Sequence, residues 1–192
     1  MKRALPLLLM LSAWSWACAS EPMVPVTIHT AEGRIEVAID TLAAPITSAN
    51  FLRYVQGGLY DGGEFFRVVR MDNQPRDSIR IEVIQGGANL DLDSLFYDPI
   101  PLERTSDTGL RHVDGTISMA RGGPNSATHS FFFTIGEHPS LDFGGMRNVD
   151  GQGFAAFGRV TKGMDIVRRI QSGEVEAQIL VDPVRIDSIR VD

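Results

Sequence analysis

The sequence predicts an all-β domain, a barrel or a sandwich, on three observations. Short runs alternating apolar and polar residues recur along the chain, only two segments carry helical periodicity, and no βαβ alternation appears. The 192 residues suffice for one domain with a sizeable core. No internal repeat of fixed period is visible.

Taken in order, "VTIHT" (26–30) and "RIEVAI" (34–39) alternate around Ala31-Glu32-Gly33 and predict a hairpin. "APITSANFLRYVQGG" (44–58) predicts the first helix: Pro45 suits its first turn, Phe51, Leu52 and Val55 form a stripe, and Gly57 or Gly58 ends it. Strands are expected at "FFRVV" (65–69), "IRIEVI" (79–84), "TISMA" (116–120), "FFFTI" (131–135) and "FAAFGRV" (154–160). "GMDIVRRI" (163–170) gives a second helix, and "QILV" (178–181) and "VRIDSIRV" (184–191) the closing strands. Long loops at 70–78, 86–115 and 136–153 lie beside the segments richest in aromatic and polar residues; such loops are usually functional or disordered.

Side chains alternate along a strand, so Phe131 and Phe133 share one face and Phe132 takes the other. That second face is either covered or presents an apolar surface to a ligand. By the same alternation Arg67 shares a face with Phe65 and Val69, and Val83 with Gln85. On position alone, an arginine in mid-strand reads first as a solvated or ion-paired surface residue.

Several chemistries are disfavoured. The net charge of −6, with no long basic stretch, argues against a general nucleic-acid binder. His29, His112, His129 and His138 lack metal-ligand spacing, so no metal is expected. There is no P-loop and no strand–GxGxxG–helix unit, and Ser118, Ser126 and Ser130 sit in no nucleophile elbow. The N-terminus reads as an export signal over 1–19: Met1-Lys2-Arg3, an uncharged run, then Ala17-Cys18-Ala19 as cleavage site. Residues 20–192 then form the mature domain. Cys18 leaves a lipoprotein signal as the alternative, although Ser15 stands where a lipobox expects an aliphatic residue. The expected location is the periplasm, with lipid anchoring or secretion as alternatives. The single cysteine forbids an intramolecular disulfide.

The ordered set "FFRVV", "QGG", "GTISMAR", "PNSAT", "FF", Leu141-Asp142 and "FGRV" resembles the cyclophilin-type peptidyl-prolyl cis–trans isomerases, from about Val24 to Val191. The resemblance implies a closed eight-stranded antiparallel β-barrel capped by two α-helices, with a peptide groove on its outside. It implies that Arg67 is the catalytic arginine, that Gln85 holds substrate or arginine, and that Phe132 lines a proline pocket. Val83, Leu141 and Phe154 would complete the apolar pocket. Ala120 and Arg121 would offer backbone groups to an extended peptide, beside a groove wall formed by the 122–129 loop. Proline-containing polypeptides are the implied partners of an expected monomer, with no cofactor. A non-catalytic peptide-binding module on the same barrel is the alternative. Departures from the family pattern are the stretched segment "RMDNQPRDSIR" (70–80), Ser130 for a substrate-contacting glutamine, Ser140 for the tryptophan of cyclosporin-sensitive members, Phe154 for histidine or tyrosine, and a long loop over 143–153.

Overall fold

The computed structural model describes residues 23–74 and 79–192. The expected export signal and Cys18 lie outside the described residues. The strands are β1 (Met23–Thr30), β2 (Gly33–Asp40), β3 (Glu64–Val69), β4 (Val83–Gly87), β5 (Thr116–Met119), β6 (Phe131–Thr134), β7 (Ala155–Lys162), β8 (Val175–Glu176) and β9 (Ile179–Val191). They pair antiparallel in the order β1-β2-β7-β5-β6-β4-β3-β9, and β9 pairs back onto β1, closing an eight-stranded barrel. The two-residue β8 is a hairpin stub on the start of β9. Among the described residues, closure leaves no long unpaired edge.

The opening hairpin shows why its residues fold so. Val26, Ile28, Ile35, Val37 and Ile39 alternate inward and are fully or almost fully buried. The turn depends on Gly33: its φ of +136° disfavours any L side chain, and a Cβ there would meet Ile166 Cδ1 at 2.8 Å.

Helix α1 (Pro45–Gln56) opens on proline without a side-chain cap from its own N-cap residue. Its orphan N–H groups are met from a distance: Ile46 and Thr47 donate to the Glu103 carboxylate at 3.0 and 2.7 Å, favourable charge at a helix N-terminus. The buried face sets Phe51 against the rings of Tyr60, Phe131 and Phe157. Helix α3 (Met164–Gln171) buries Ile166, Val167 and Ile170 against β2, β3 and β4. Between these two, a single turn α2 (Thr105–Thr108) and 3-10 turns at Leu90–Leu95 and Pro139–Leu141 order the long loops. Nothing in the hydrophobic periodicity announces elements this short.

Three expectations are corrected. The strand expected over 79–84 lies at Val83–Gly87 instead. Gln74, buried, takes the ladder's place at Ile81: its Nε2 donates to Ile81 O (2.8 Å) and its Oε1 accepts from Ile81 N (3.3 Å). Gly86 and Gly87, which fell in the expected 86–115 loop, belong to the strand; a Cβ on Gly86 would meet the Phe65 ring at 2.9 Å. The two closing strands are one, β9, running through Pro183. The register against β3 jumps there from Phe65↔Val184 to Arg67↔Ile179, a bulge where a residue lacking an N–H does no harm. Finally, Arg67 does not share a face with Phe65. The register of β3 shifts between them, so Phe65 and Val68 enter the core while Val69 joins a cluster on the outer side.

Candidate active site

Two apolar clusters occupy the two sides of the barrel wall. Phe131 and Phe133 belong to the core inside. Phe132 belongs to a smaller cluster with Val69, Ile81, Val83 and Leu141, against which Ala120 and Phe154 pack. This second cluster floors an open cavity of about 290 Å³, whose lining also includes Arg67, Gln85, Arg121, Arg147 and Asn148. Phe154 meets Phe132 edge-on, with centroids 5.5 Å apart and planes at 89°. The apolar surface that the three-phenylalanine run implied is therefore the floor of this cavity.

Arg67 stands at the cavity with its guanidinium held by two amides. Gln85, its cross-strand neighbour, accepts from Nη1 at 2.9 Å. Gln178 Oε1 accepts from both Nε (3.1 Å) and Nη2 (2.6 Å). Gln178 in turn donates to Asn73 O at 3.3 Å. Both acceptors are neutral, so they orient the planar fork without cancelling its charge.

Arg121 is placed at the cavity, but its guanidinium is a structural tie. It makes a bidentate pair with Asp150 (2.7 and 2.9 Å), donates from Nε to Gly153 O (2.8 Å), and lies 5.1 Å from the centre of the Phe154 ring. The Arg121 hydrogen bonds, then the Gln152 N–H, hold the Asp150 carboxyl down to about 2. The tie fixes the long 143–153 loop, which carries Arg147 and Asn148 to the rim. Arg147 Nη1 donates to Ile79 O at 2.8 Å, joining this loop to the residues that lead into Ile81 of the pocket. The Ala120 N–H is committed to Ser130 O (2.8 Å), which leaves the carbonyl as the group a peptide can meet.

Ser130 is the site residue the structure places elsewhere. It lies two positions before Phe132, displaced by about 7 Å along the chain. There it lines a neighbouring cavity of about 420 Å³ with Phe66, Gly87, His129 and Arg185. The 122–129 loop is likewise absent from the lining of the Arg67 cavity, and only its last residue, His129, reaches the neighbouring one. His129 Nδ1 accepts from Ala88 N at 3.1 Å, and burial lowers its pKa below the usual histidine value.

Sequence reasoning missed Ile81, Arg147, Asn148 and above all Gln178. The last stands 111 residues from Arg67 on a two-residue hairpin turn, a distance at which no local pattern signals a contact. Among the described residues no group of three or more His, Cys, Asp or Glu side chains converges as a metal site.

Residues 25–191 match the family model described as cyclophilin type peptidyl-prolyl cis-trans isomerase/CLD. The chain is 36% identical over 169 residues to peptidyl-prolyl cis-trans isomerase A of Dickeya dadantii, covering 88% of this chain and 82% of that protein. It is 34% identical over 175 residues to an isomerase of Streptomyces antibioticus, covering 88% and 99%, and 33% identical over 147 residues to isomerase B of Escherichia coli, covering 76% and 83%. In fold it is similar to a crystal structure of a cyclophilin-type isomerase of Cryptosporidium parvum, with a TM-score of 0.67 and 19% identity over 88% of this chain and 98% of the other. With the barrel, the outward phenylalanine and the amide-held arginine already in place, this chain belongs to the cyclophilin-type peptidyl-prolyl cis–trans isomerase family.

Proposed function

We propose that the chain accelerates rotation about X-Pro peptide bonds in extended or unfolded segments of exported proteins, acting as a monomer without a cofactor. The observation that carries this reading is the placement of the Arg67 guanidinium beside the apolar floor made by Phe132, Val83 and Leu141.

An amide resists rotation by about 18–20 kcal/mol because its C–N bond has partial double-bond character. X-Pro bonds therefore interconvert over tens to hundreds of seconds unaided. Half-way round, resonance is lost and the proline nitrogen regains its lone pair. It becomes a hydrogen-bond acceptor only in that twisted state. A donor fixed where the lone pair appears stabilises the twisted form over either planar form, which is the condition for catalysis.

Arg67 supplies such a donor, with permanent charge and a plane set by Gln85 and Gln178. Phe132 and Phe154 seat the proline ring, and the residues before proline lie along the Ala120–Arg121 edge. Holding the ring still leaves rotation of the acyl side as the easy motion. No covalent bond forms or breaks, and the equilibrium ratio of isomers is unchanged.

The test is isomer-exchange NMR on an Ala-Pro tetrapeptide with the purified mature chain. Accelerated exchange supports the reading, and peptide binding without acceleration would make the chain a peptide-binding module. Intact-mass measurement of the protein recovered from an exporting host tests the placement outside the cytoplasm. A mass starting after Ala19 supports signal cleavage, a lipid adduct on Cys18 supports anchoring, and an intact Met1 contradicts both.

A further inference from the structure

A buried polar chain behind Phe132 takes no part in the chemistry above. His112, Ser118 and Asp142 are all buried, Ser118 completely. Asp142 Oδ1 accepts from the His112 backbone N–H at 3.1 Å and lies 2.7 Å from His112 Nδ1. A carboxylate is acceptor-only, so Nδ1 carries the proton, and in the neutral ring Nε2 accepts from Ser118 Oγ at 2.9 Å. The order of groups is that of a hydrolytic triad, yet the hydroxyl is sealed inside the barrel wall, with Ser118 fully buried. No substrate reaches it.

What the imidazole does touch is Phe132. The two rings are nearly parallel, 13° apart in plane and 6.0 Å between centroids. Phe132 thus has His112 stacked on it and Phe154 edge-on at 5.5 Å. The same chain reaches two other walls of the pocket. Asp142 directly follows Leu141, and Leu141 O accepts from Phe154 N at 2.9 Å. Ser118 is the cross-strand partner of Phe132 in the β5–β6 ladder. A free aromatic stack would slide; this one is anchored by hydrogen bonds at both ring nitrogens, in a low-dielectric site where they are strongest.

We infer that His112 is a positioning residue for isomerisation: anchored by Asp142 and Ser118, its ring fixes the orientation of Phe132, and through it the seat of the substrate proline relative to Arg67. The kinetic part of this inference rests on the isomerase reading above; the part concerning Phe132 does not.

The experiment compares the parent with His112→Gln, which removes the ring, and Asp142→Asn, which keeps the volume and weakens the anchor. Phe132 ring-flip rates are read by aromatic NMR, and kcat and KM by isomer exchange on an Ala-Pro tetrapeptide. In His112→Gln, ring flips are expected to accelerate and kcat to fall about tenfold, with KM within about twofold of the parent. Asp142→Asn should fall between. Val37→Ala, a truncation inside the barrel core, controls for lost stability and should keep parental kcat.

Folded His112→Gln with parental ring flips and parental kcat would overturn the inference. So would a kcat loss without faster ring flips, or an equal kcat loss in Val37→Ala. If His112→Gln does not fold, Asp142→Asn decides by the same two readings. Should the parent itself fail to accelerate exchange, the isomerase reading falls, while the ring-flip comparison still settles whether His112 holds Phe132.

Discussion

At the scale of single residues, orientation matters as much as identity. Arg67 has the right chemistry wherever it points; Gln85 and Gln178 decide where it points. Removing Gln178 leaves the charge in place but loses two of the hydrogen bonds that set its plane. Hydrogen bonds to charged groups contribute about 1.5–3 kcal/mol, so Gln178→Ala should lower kcat by about tenfold or more. Steady-state isomer exchange checks this, and a parental rate would show that the Gln178 bonds are dispensable. Asp150 offers a second residue-scale test. The Arg121 hydrogen bonds hold its carboxyl down to about 2 in the fold, against 3.8 for an unperturbed aspartate. Between those values the unfolded chain binds the extra proton, so stability rises with pH there. The contribution is complete above about pH 4 and lost as pH falls through the folded value near 2. Asp150→Asn should flatten that acid limb in a pH series of thermal melts.

At the scale of elements, what the sequence concealed was register. Alternation correctly splits Phe131 and Phe133 from Phe132, because β6 is regular and both of its edges are paired in unbroken register with β4 and β5. The same rule misplaces Arg67 relative to Phe65, because a register shift interrupts β3 between them. Alternation also misplaces β4, since a buried amide, Gln74, imitates strand pairing at Ile81. Arg67, Gln85 and Phe132 stand in short ordered motifs and were legible there; that they converge was implied by the family resemblance, not by alternation. Gln178, Arg147 and the Arg121–Asp150 tie were not, because each depends on a loop path that no periodicity encodes.

The 143–153 loop and the end of β4 each carry a prediction. Gly153 has φ +67°, and a Cβ there would meet Asp142 C at 2.6 Å, so Gly153→Ala should displace the loop and weaken peptide binding. Titration with a proline peptide reads this; unchanged affinity would show the loop to be a bystander. His129 is held neutral by burial, with its pKa lowered from 6.5. The unfolded chain takes up a proton first, so stability falls as pH drops below about 6.5 toward the folded value. A protonated ring could also no longer accept from the Ala88 N–H at Nδ1. The urea midpoint should decrease between pH 7.5 and 5.5, and less so in His129→Gln.

At the scale of the whole molecule, one wall of a closed barrel serves two purposes. Its inner face is a core of interlocked rings; its outer face is the floor of the site. Neighbouring phenylalanines should therefore respond differently to the same truncation. Phe133→Ala opens a cavity among buried core side chains, including Phe65 and Phe131, and should cost about 3–5 kcal/mol of stability. Phe132→Ala should cost less stability and most of the activity, because the ring it removes lines an open pocket. Paired denaturation curves and exchange rates on the two variants separate the roles.

The most direct measurement is isomer exchange by the parent and by Arg67→Ala on one proline tetrapeptide, with peptide affinity measured alongside. A donor that acts only on the twisted bond predicts that the variant loses about 10²–10³ in rate, by analogy with removing a transition-state donor elsewhere. Its affinity for the planar peptide should stay close to the parent's. An Arg67→Ala protein that turned the bond as fast as the parent would contradict the account.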